Sequence, residues 1–229
     1  MSQESQVSAN VAARTWAPGG VRLYHSSAMS NLLFPGKWRQ TDDIEKAAIE
    51  TPLGTVRLEA LIAGSHLNSD QANTYASVFA EARLFVWNKP AVVVELMMCK
   101  MRDEPDVTAC HAAMWRIRAE RQPVTDCVLT CRIEGASEYD HGPCSGQFLD
   151  AQEWSAGITN VKIGVPQVDF TQYVTDGFVL EPPNLEPGQL AQFQFIVAWA
   201  PEPEGDYATW MALIQPPAHI LSILGEEEG

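Results

Sequence analysis

Three residues able to bind a metal ion stand close together in one polar loop. Asp140, His141 and Cys144 fall within five residues, and His141 and Cys144 have a spacing that suits two metal ligands. A structural zinc site needs four ligands, however, and these usually come from two such clusters. No second cluster is evident in the sequence, although His111 lies beside Cys110. We therefore predict a polar turn at this loop, with no metal site and no cofactor.

The usual catalytic motifs are missing from the sequence. It has no Gly-x-Ser-x-Gly elbow and no glycine-rich phosphate loop, and the nearest match, residues 142–146, carries a proline in the wrong place. Carboxylates need only meet in space, so a hidden pair stays open among Asp140, Asp150 and Glu153. The histidines are scattered singly, at His25, His66, His111, His141 and His219. From these absences we predict that the chain is not an enzyme.

Two other function classes remain open. A carbohydrate- or ligand-binding β-sandwich needs an exposed aromatic platform, for which the candidates are Trp38, Tyr139 and Trp154. A metal-dependent β-barrel enzyme needs polar groups that converge in a pocket. For that site the candidates are His111, His141 and Asp140.

The cysteines could form disulfides or link subunits. The five are Cys99, Cys110, Cys127, Cys131 and Cys144. Cys127 and Cys131 are four residues apart on one predicted strand, hence about 13 Å apart, which exceeds disulfide reach. A bond between Cys110 and Cys127 on neighbouring strands is conceivable, and the odd count leaves at least one thiol free or bonded to another chain. The alternative is that all five are reduced and packed as small apolar side chains.

Alternating apolar residues must position any such site. Phe193, Phe195, Val197 and Trp199 fall on one face of an extended segment, with Gln192 and Gln194 on the other. Similar runs between turn residues predict an all-β fold, an antiparallel β-sandwich or jelly roll. Asn68 to Ala82 is predicted to be one short helix. The predicted strands are Leu53–Ile62, Ala82–Trp87, Ala91–Met101, Thr108–Arg118, Val124–Ile133, Ile158–Val165, Phe178–Leu180, Leu190–Trp199 and Tyr207–Ile214, with Trp87, Trp115 and Trp199 in the core.

Four regions follow from this pattern. We predict a flexible arm over residues 1–15, an irregular strap over 16–52, a jelly-roll β domain over 53–216 and an acidic tail over 217–229. The strap holds apolar residues without the periodicity of a regular element, so either a second subunit or the chain's own sheet must cover them. These candidate contact residues are Trp16, Leu32, Leu33, Phe34 and Trp38.

Charge limits the partners of the chain. The net charge is −14, from 29 acidic and 15 basic residues, and such a surface repels nucleic-acid backbones.

No run approaches the roughly 18–20 apolar residues that cross a bilayer. The first residues lack the basic and apolar segments of a secretory signal, so we expect a soluble, cytoplasmic product.

The layout resembles the small single-jelly-roll major capsid proteins of halophilic, internal-membrane icosahedral archaeal viruses. The likeness covers residues 16–216, with Leu53–Glu59 near its start and Phe193–Trp199 near its end. It implies a structural capsid subunit in the virion that assembles with itself or a related subunit, near an internal membrane but not inserted in it. It also implies no catalysis, and it would give the cysteines a role in bonds between subunits.

Overall fold

Two antiparallel β-sheets make up the fold. The computed structural model describes residues 24–25, 32–41, 46–101, 107–143, 146–152, 159–165, 168–201 and 206–225. The prediction of an all-β sandwich is confirmed. The elements are β1 Tyr24–His25, β2 Trp38–Thr41, β3 Ala48–Thr51, β4 Gly54–Ile62, β5 Ser65–His66, β6 Asn73–Ser77, β7 Ala82–Asn88, β8 Val92–Lys100, β9 Ala109–Ala119, β10 Cys127–Glu134, β11 Glu138–Pro143, β12 Gln147–Gln152, β13 Thr159–Val165, β14 Thr171–Val174, β15 Gly177–Leu180, β16 Gln189–Pro201, α1 Asp206–Leu213 and α2 Pro217–Ser222.

The two sheets differ in width. The larger has ten strands in the order β11-β12-β13-β16-β9-β8-β7-β6-β2, with β1 beside β16, and the smaller has six in the order β14-β15-β10-β4-β3, with β5 beside β4. Their facing sides enclose the main core, which includes Phe193, Phe195, Val197 and Trp199 from β16. Trp87 and Trp115 stack on each other there, with ring centroids 5.8 Å apart. The alternation of β16 therefore has the predicted direction.

A second core covers the outer face of the larger sheet. Leu84, Met97, Met114 and Ile196 lie there beneath the two helices and Phe34. The predicted polar face of β16 is therefore buried as well, and Gln192 and Gln194 are almost inaccessible to solvent. The sequence pattern missed this layer because it showed only that the two faces of β16 differ in polarity.

The segment predicted as a strand at Tyr207–Ile214 is a helix. Thr209, Ala212 and Leu213 are its buried residues, and a spacing of three and four residues is that of one helix face. Ala, Met and Leu are also good helix formers. The next described element after β16 is therefore a helix and not the predicted strand.

The helix predicted at Asn68–Ala82 is wrong. A single 3-10 turn at Ser69–Gln71 is followed by β6, which pairs with β7 from Asn73 opposite Val86 to Ala76 opposite Arg83. Thr and Tyr favour extended backbone that packs against neighbouring strands. Pairing with β7 satisfies the backbone groups that a helix would have satisfied internally.

Helix α1 packs on the larger sheet at a glycine. A Cβ atom built on Gly164 would lie 2.7 Å from the Cβ atom of Leu213, so only a residue without a side chain allows this approach. We expect Gly164→Ala to lower the free energy of unfolding by about 1–3 kcal/mol through overpacking. Thermal denaturation should show a lower midpoint for this variant and almost no change for Gly225→Ala, where the nearest atom is 3.8 Å away. Equal midpoints would mean that α1 does not pack this closely.

The strap residues dock on their own sheet. Phe34 is buried in the outer core, and Leu32 and Trp38 pack against that core. For these three residues, the strap is covered by the chain's own larger sheet. Trp16 lies outside the described residues. The predicted strap also contributes β2 and β3 to the two sheets, and α2 with its buried Ile220 lies in the predicted tail. Regular structure therefore extends past both ends of the predicted β domain.

Four cysteines of the described residues are buried and form no disulfide bond, at Cys99, Cys110, Cys127 and Cys131. Cys110 lies in the outer core and Cys127 in the core between the sheets. The pair suggested above therefore does not lie on neighbouring strands, and the two are not bonded. Burial raises the pKa of the Cys99 and Cys127 thiols to about 12, so these thiols are poor nucleophiles. Cys144 lies outside the described residues.

No helix in the described part of the chain is long and apolar enough to cross a membrane.

Candidate functional site

One end of the sandwich opens into a cleft because the smaller sheet stops at the short edge strand β3. The cleft lies between β3 and the facing ends of β7, β8 and β9, and its volume is about 330 Å³. We call it the inter-sheet cleft. Apolar side chains line part of it, among them Ile49, Phe85 and Met98. The ionisable residues that line it are Lys46, Glu50, Glu81, Arg83, Lys100 and His111.

Strand alternation explains how charged residues come to face the inside of the sandwich. Arg83 is two residues from Phe85 on β7, and His111 is two residues from Ala113 on β9. Phe85 and Ala113 belong to the core between the sheets, and residues two apart on a strand share a face. Arg83 and His111 therefore continue the inward face to the strand ends, where both line the inter-sheet cleft.

An ion pair stands at the rim of the cleft. Lys100 Nζ lies 3.8 Å from Glu81 Oε2, and both side chains are substantially exposed. The backbone N–H of Lys100 also donates to the carbonyl of Glu81, at 3.0 Å. Exposed pairs of this kind contribute little to stability. The pair therefore offers a donor and an acceptor to a ligand at small cost to the fold.

His111 is a half-buried polar group of the cleft. Its ring stacks on that of Trp199, with centroids 5.4 Å apart and planes 11° from parallel. Burial and the nearby Lys100 ammonium lower the pKa of His111, against a weaker effect of Glu81. The imidazole is therefore neutral at neutral pH, so it has one donor and one acceptor nitrogen.

These features together suit a small polar ligand. The volume is at the lower end of the roughly 300–1,000 Å³ typical of small-molecule sites. The cleft combines apolar side chains with donors and acceptors of both signs, which fits a molecule with many hydroxyl groups and an apolar ring face. Arg83 and Lys100 only donate hydrogen bonds, whereas Glu50 and Glu81 accept them when ionised.

The structure separates the residues nominated for a β-barrel enzyme. His111 lies on β9, whereas Asp140 and His141 lie on β11, four strands away and therefore roughly 19 Å distant. His141 Nε2 lies 3.0 Å from the carbonyl of Val174, and its ring meets that of Tyr173 edge to face. His141 thus joins the edges of the two sheets. Asp150 is bound to Lys162 at 2.6 Å, and Glu153 lies outside the described residues.

The proposed aromatic platform is not assembled either. Trp38 lies on β2 and Tyr139 on β11, which are opposite ends of the larger sheet. Trp38 packs against the outer core and Tyr139 against the core between the sheets, so the two rings also lie on different faces. Trp154 lies outside the described residues. A binding site on this sandwich must therefore use other side chains.

Metal binding has no site in the described part of the chain, where no three His, Cys, Asp or Glu side chains are grouped to hold an ion. Asp140 and His141 instead lie within strand β11, paired with β12, which corrects the predicted polar turn. Asp140 accepts a hydrogen bond from the backbone N–H of His141, at 2.8 Å. Cys144, the other nominated ligand, lies outside the described residues.

Sequence reasoning identified His111 but missed its neighbours in the cleft. Arg83, Lys100 and Glu81 stand in or beside predicted strands and belong to no motif. A signal for two of them was present, because Arg83 and Lys100 occupy inward positions of strands whose other inward residues are apolar. A charged residue at such a position must lie at an open end of the sandwich or be paired.

No protein-family model matches this chain, and no curated protein matches it. Among solved structures, the chain is similar in fold to a protein from the human microbiome that is named a kojibiose phosphorylase, with a TM-score of 0.51 and 9% sequence identity. The match covers 90% of this chain and 34% of that protein. The chain thus spans about a third of the length of the protein that it resembles.

This likeness corrects two predictions. The chain was expected to be a capsid subunit without catalytic activity, but its sandwich matches part of a protein named as an enzyme. The capsid interpretation was wrong because it relied on strand number and layout, which unrelated β-sandwiches share. The virion location and the assembly with itself or a related capsid subunit are tested by none of these findings and stay predictions. The alternative of a carbohydrate- or ligand-binding sandwich agrees better with the likeness.

Proposed function

We propose that this chain is a carbohydrate-binding β-sandwich and that the inter-sheet cleft is its sugar site. The observation that carries the proposal is the composition of the cleft, in which ionisable donors and acceptors surround apolar side chains within about 330 Å³. Sugars present hydroxyl groups around a ring with apolar C–H faces, and these two features match the two kinds of lining. The match in fold to part of a protein named for the disaccharide kojibiose adds support.

The side chains that line the cleft contact different parts of the sugar. Met98 contacts the apolar face of the sugar ring, with the buried Phe85 behind it. The neutral imidazole of His111 exchanges hydrogen bonds with one hydroxyl group, and its stacking on Trp199 fixes the orientation of the ring. The pair of Lys100 and Glu81 supplies a donor and an acceptor at the rim.

Titration with mono- and disaccharides tests the proposal. Binding to the full chain can be followed by calorimetry and by the NMR signals of His111. We expect His111→Ala to weaken binding roughly tenfold, because it removes a hydrogen bond and part of the wall. The matched control is His66→Ala, since His66 lies on the exposed strand β5 and its loss should leave the affinity unchanged.

Two outcomes would contradict the sugar site. One is that no sugar in the panel binds the folded protein. The other is that binding persists equally in His111→Ala and His66→Ala. Incubation of bound disaccharides with and without inorganic phosphate, followed by analysis of the released monosaccharides, then separates binding alone from turnover.

A further inference from the structure

Positive charge collects on one wall of the inter-sheet cleft. Arg83, Lys100 and His111 come from the neighbouring strands β7, β8 and β9. Lys100 is directly opposite His111 in the strand register, and Arg83 is opposite Met98, two residues before Lys100. All three therefore face the same side of the larger sheet, within two rows of side chains.

This wall differs from the rest of the protein in its charge. The chain has 29 acidic and 15 basic residues, yet the described lining of the cleft contains three basic residues and His111 against Glu50 and Glu81. Burial and the charge of Lys100 lower the pKa of His111. An anionic group in the cleft would offset both effects, since a nearby negative charge favours the charged imidazole.

We propose that the ligand of the inter-sheet cleft carries an oxyanion, as a sugar phosphate or a uronic acid does, and that Arg83 and Lys100 bind it. This inference rests on the proposed function, because it names the class of sugar that occupies the same site. The planar guanidinium of Arg83 suits two parallel hydrogen bonds to an oxyanion, and Lys100 adds a point charge. The rest of the sugar then lies against Met98 and His111.

Binding of four probes to the wild-type chain tests the inference: glucose, glucose 6-phosphate, glucuronate and inorganic phosphate. We expect at least one of the two anionic sugars to bind roughly tenfold more tightly than glucose at low salt, because charge-assisted hydrogen bonds are added. The difference should shrink at 1 M salt, where the Debye length falls to about 3 Å.

Two variants assign the oxyanion to its binding residues. Arg83→Gln and Lys100→Gln should each weaken binding of the anionic sugar roughly tenfold, a larger loss than either variant causes for glucose, because only the anionic sugar loses a charge-assisted hydrogen bond. The matched control is Arg132→Gln, because Arg132 lies on the exposed side of the smaller sheet beside Asp176. Circular dichroism of each variant shows that the fold is retained.

The titration of His111 gives a readout that a merely structural role would not change. The pKa of His111, measured by NMR, should rise when an anionic sugar binds and should not rise when glucose binds. The same rise should be smaller in Lys100→Gln, because the variant binds less ligand at a given concentration.

Each unfavourable outcome overturns a defined part of the argument. Equal affinity for glucose and both anionic sugars, unaffected by Arg83→Gln and Lys100→Gln, overturns the oxyanion and leaves the sugar site standing. Inorganic phosphate that binds as tightly as glucose 6-phosphate overturns the sugar part of the ligand. If neither neutral nor anionic sugars bind, the proposed function itself fails.

Discussion

Phe195→Ala is expected to lower the free energy of unfolding by about 3–5 kcal/mol. Phe195 is fully buried on the inner face of β16, opposite Ala113 of β9. Removal of its ring takes away apolar contacts and leaves a cavity between two sheets, which cannot collapse without moving both. Chemical denaturation monitored by circular dichroism measures the loss as a lower midpoint at an unchanged slope.

Val78→Ala is the control for this core prediction. Val78 is 57% exposed, and substitutions at such positions change the free energy of unfolding by about 0.5 kcal/mol or less. Similar midpoints for Phe195→Ala and Val78→Ala would show that β16 does not form the centre of the sandwich.

A buried carboxylate on the outer face of the larger sheet makes stability depend on pH. Glu95 is fully buried and accepts hydrogen bonds from the backbone N–H groups of Leu33 and Phe34, at 2.7 and 3.0 Å. Burial raises the pKa of Glu95 to about 7, although these two bonds and the charges of Arg116 and Arg118 act in the opposite direction. Arg116 also donates to the carbonyl of Leu33, so the strap is bound through both carboxylate and guanidinium.

The direction of this pH dependence follows from which state, folded or unfolded, holds the proton on Glu95. In the unfolded chain Glu95 titrates near its ordinary pKa of 4.5, whereas in the folded protein it titrates near 7. Between these values the folded state holds a proton that the unfolded state has lost, so stability falls as the pH rises from about 4.5 to about 7. The total change is on the order of 3 kcal/mol, and this contribution becomes constant only about one pH unit above the folded-state pKa of about 7.

Glu95→Gln should remove this part of the pH dependence. We expect the variant to gain stability relative to the wild type as the pH rises from 5 to 8, because the wild type alone must ionise a buried carboxyl group. The measurement is the free energy of unfolding in denaturant at several pH values. Glu59→Gln, at an exposed position of β4, should run parallel to the wild type. A parallel curve for Glu95→Gln as well would contradict the raised pKa.

Eight of the nine predicted strands correspond to strands in the fold because period-two alternation is a local property. The exceptions arose where local pattern competed with tertiary contacts. The segment 207–214 alternates as well as it repeats at helical spacing, and the apolar outer face of the larger sheet decides in favour of the helix. The segment 68–82 has helix-capping residues, but pairing with β7 decides in favour of a strand.

The candidate site was less predictable than the fold. The cleft exists because the smaller sheet ends at β3, and sheet width depends on which strands pair, which spacing along the chain does not specify. His111 could be nominated by its chemistry alone. Arg83 and Lys100 acquire a role only once β7, β8 and β9 lie side by side, although their inward positions could have been read from the alternation.

Because both faces of β16 are buried, contact with water does not determine the register in which it pairs with its neighbouring strands. In a strand with one solvent-exposed face, the pairing register is fixed by solvation, because a shift of one residue would turn the apolar side chains toward water. In β16 a shift of one residue would instead move each side chain from one buried environment to the other. It would carry Phe193 and Phe195 toward Arg116 and Gln215, and the amides of Gln192 and Gln194 into an aromatic layer without the partners they now have, Arg116 Nε at 2.8 Å and the carbonyl of Gln215 at 2.9 Å. Gln192 and Gln194 thus fix the register of β16, because a sheet paired in a shifted register would bury their amides without hydrogen-bond partners.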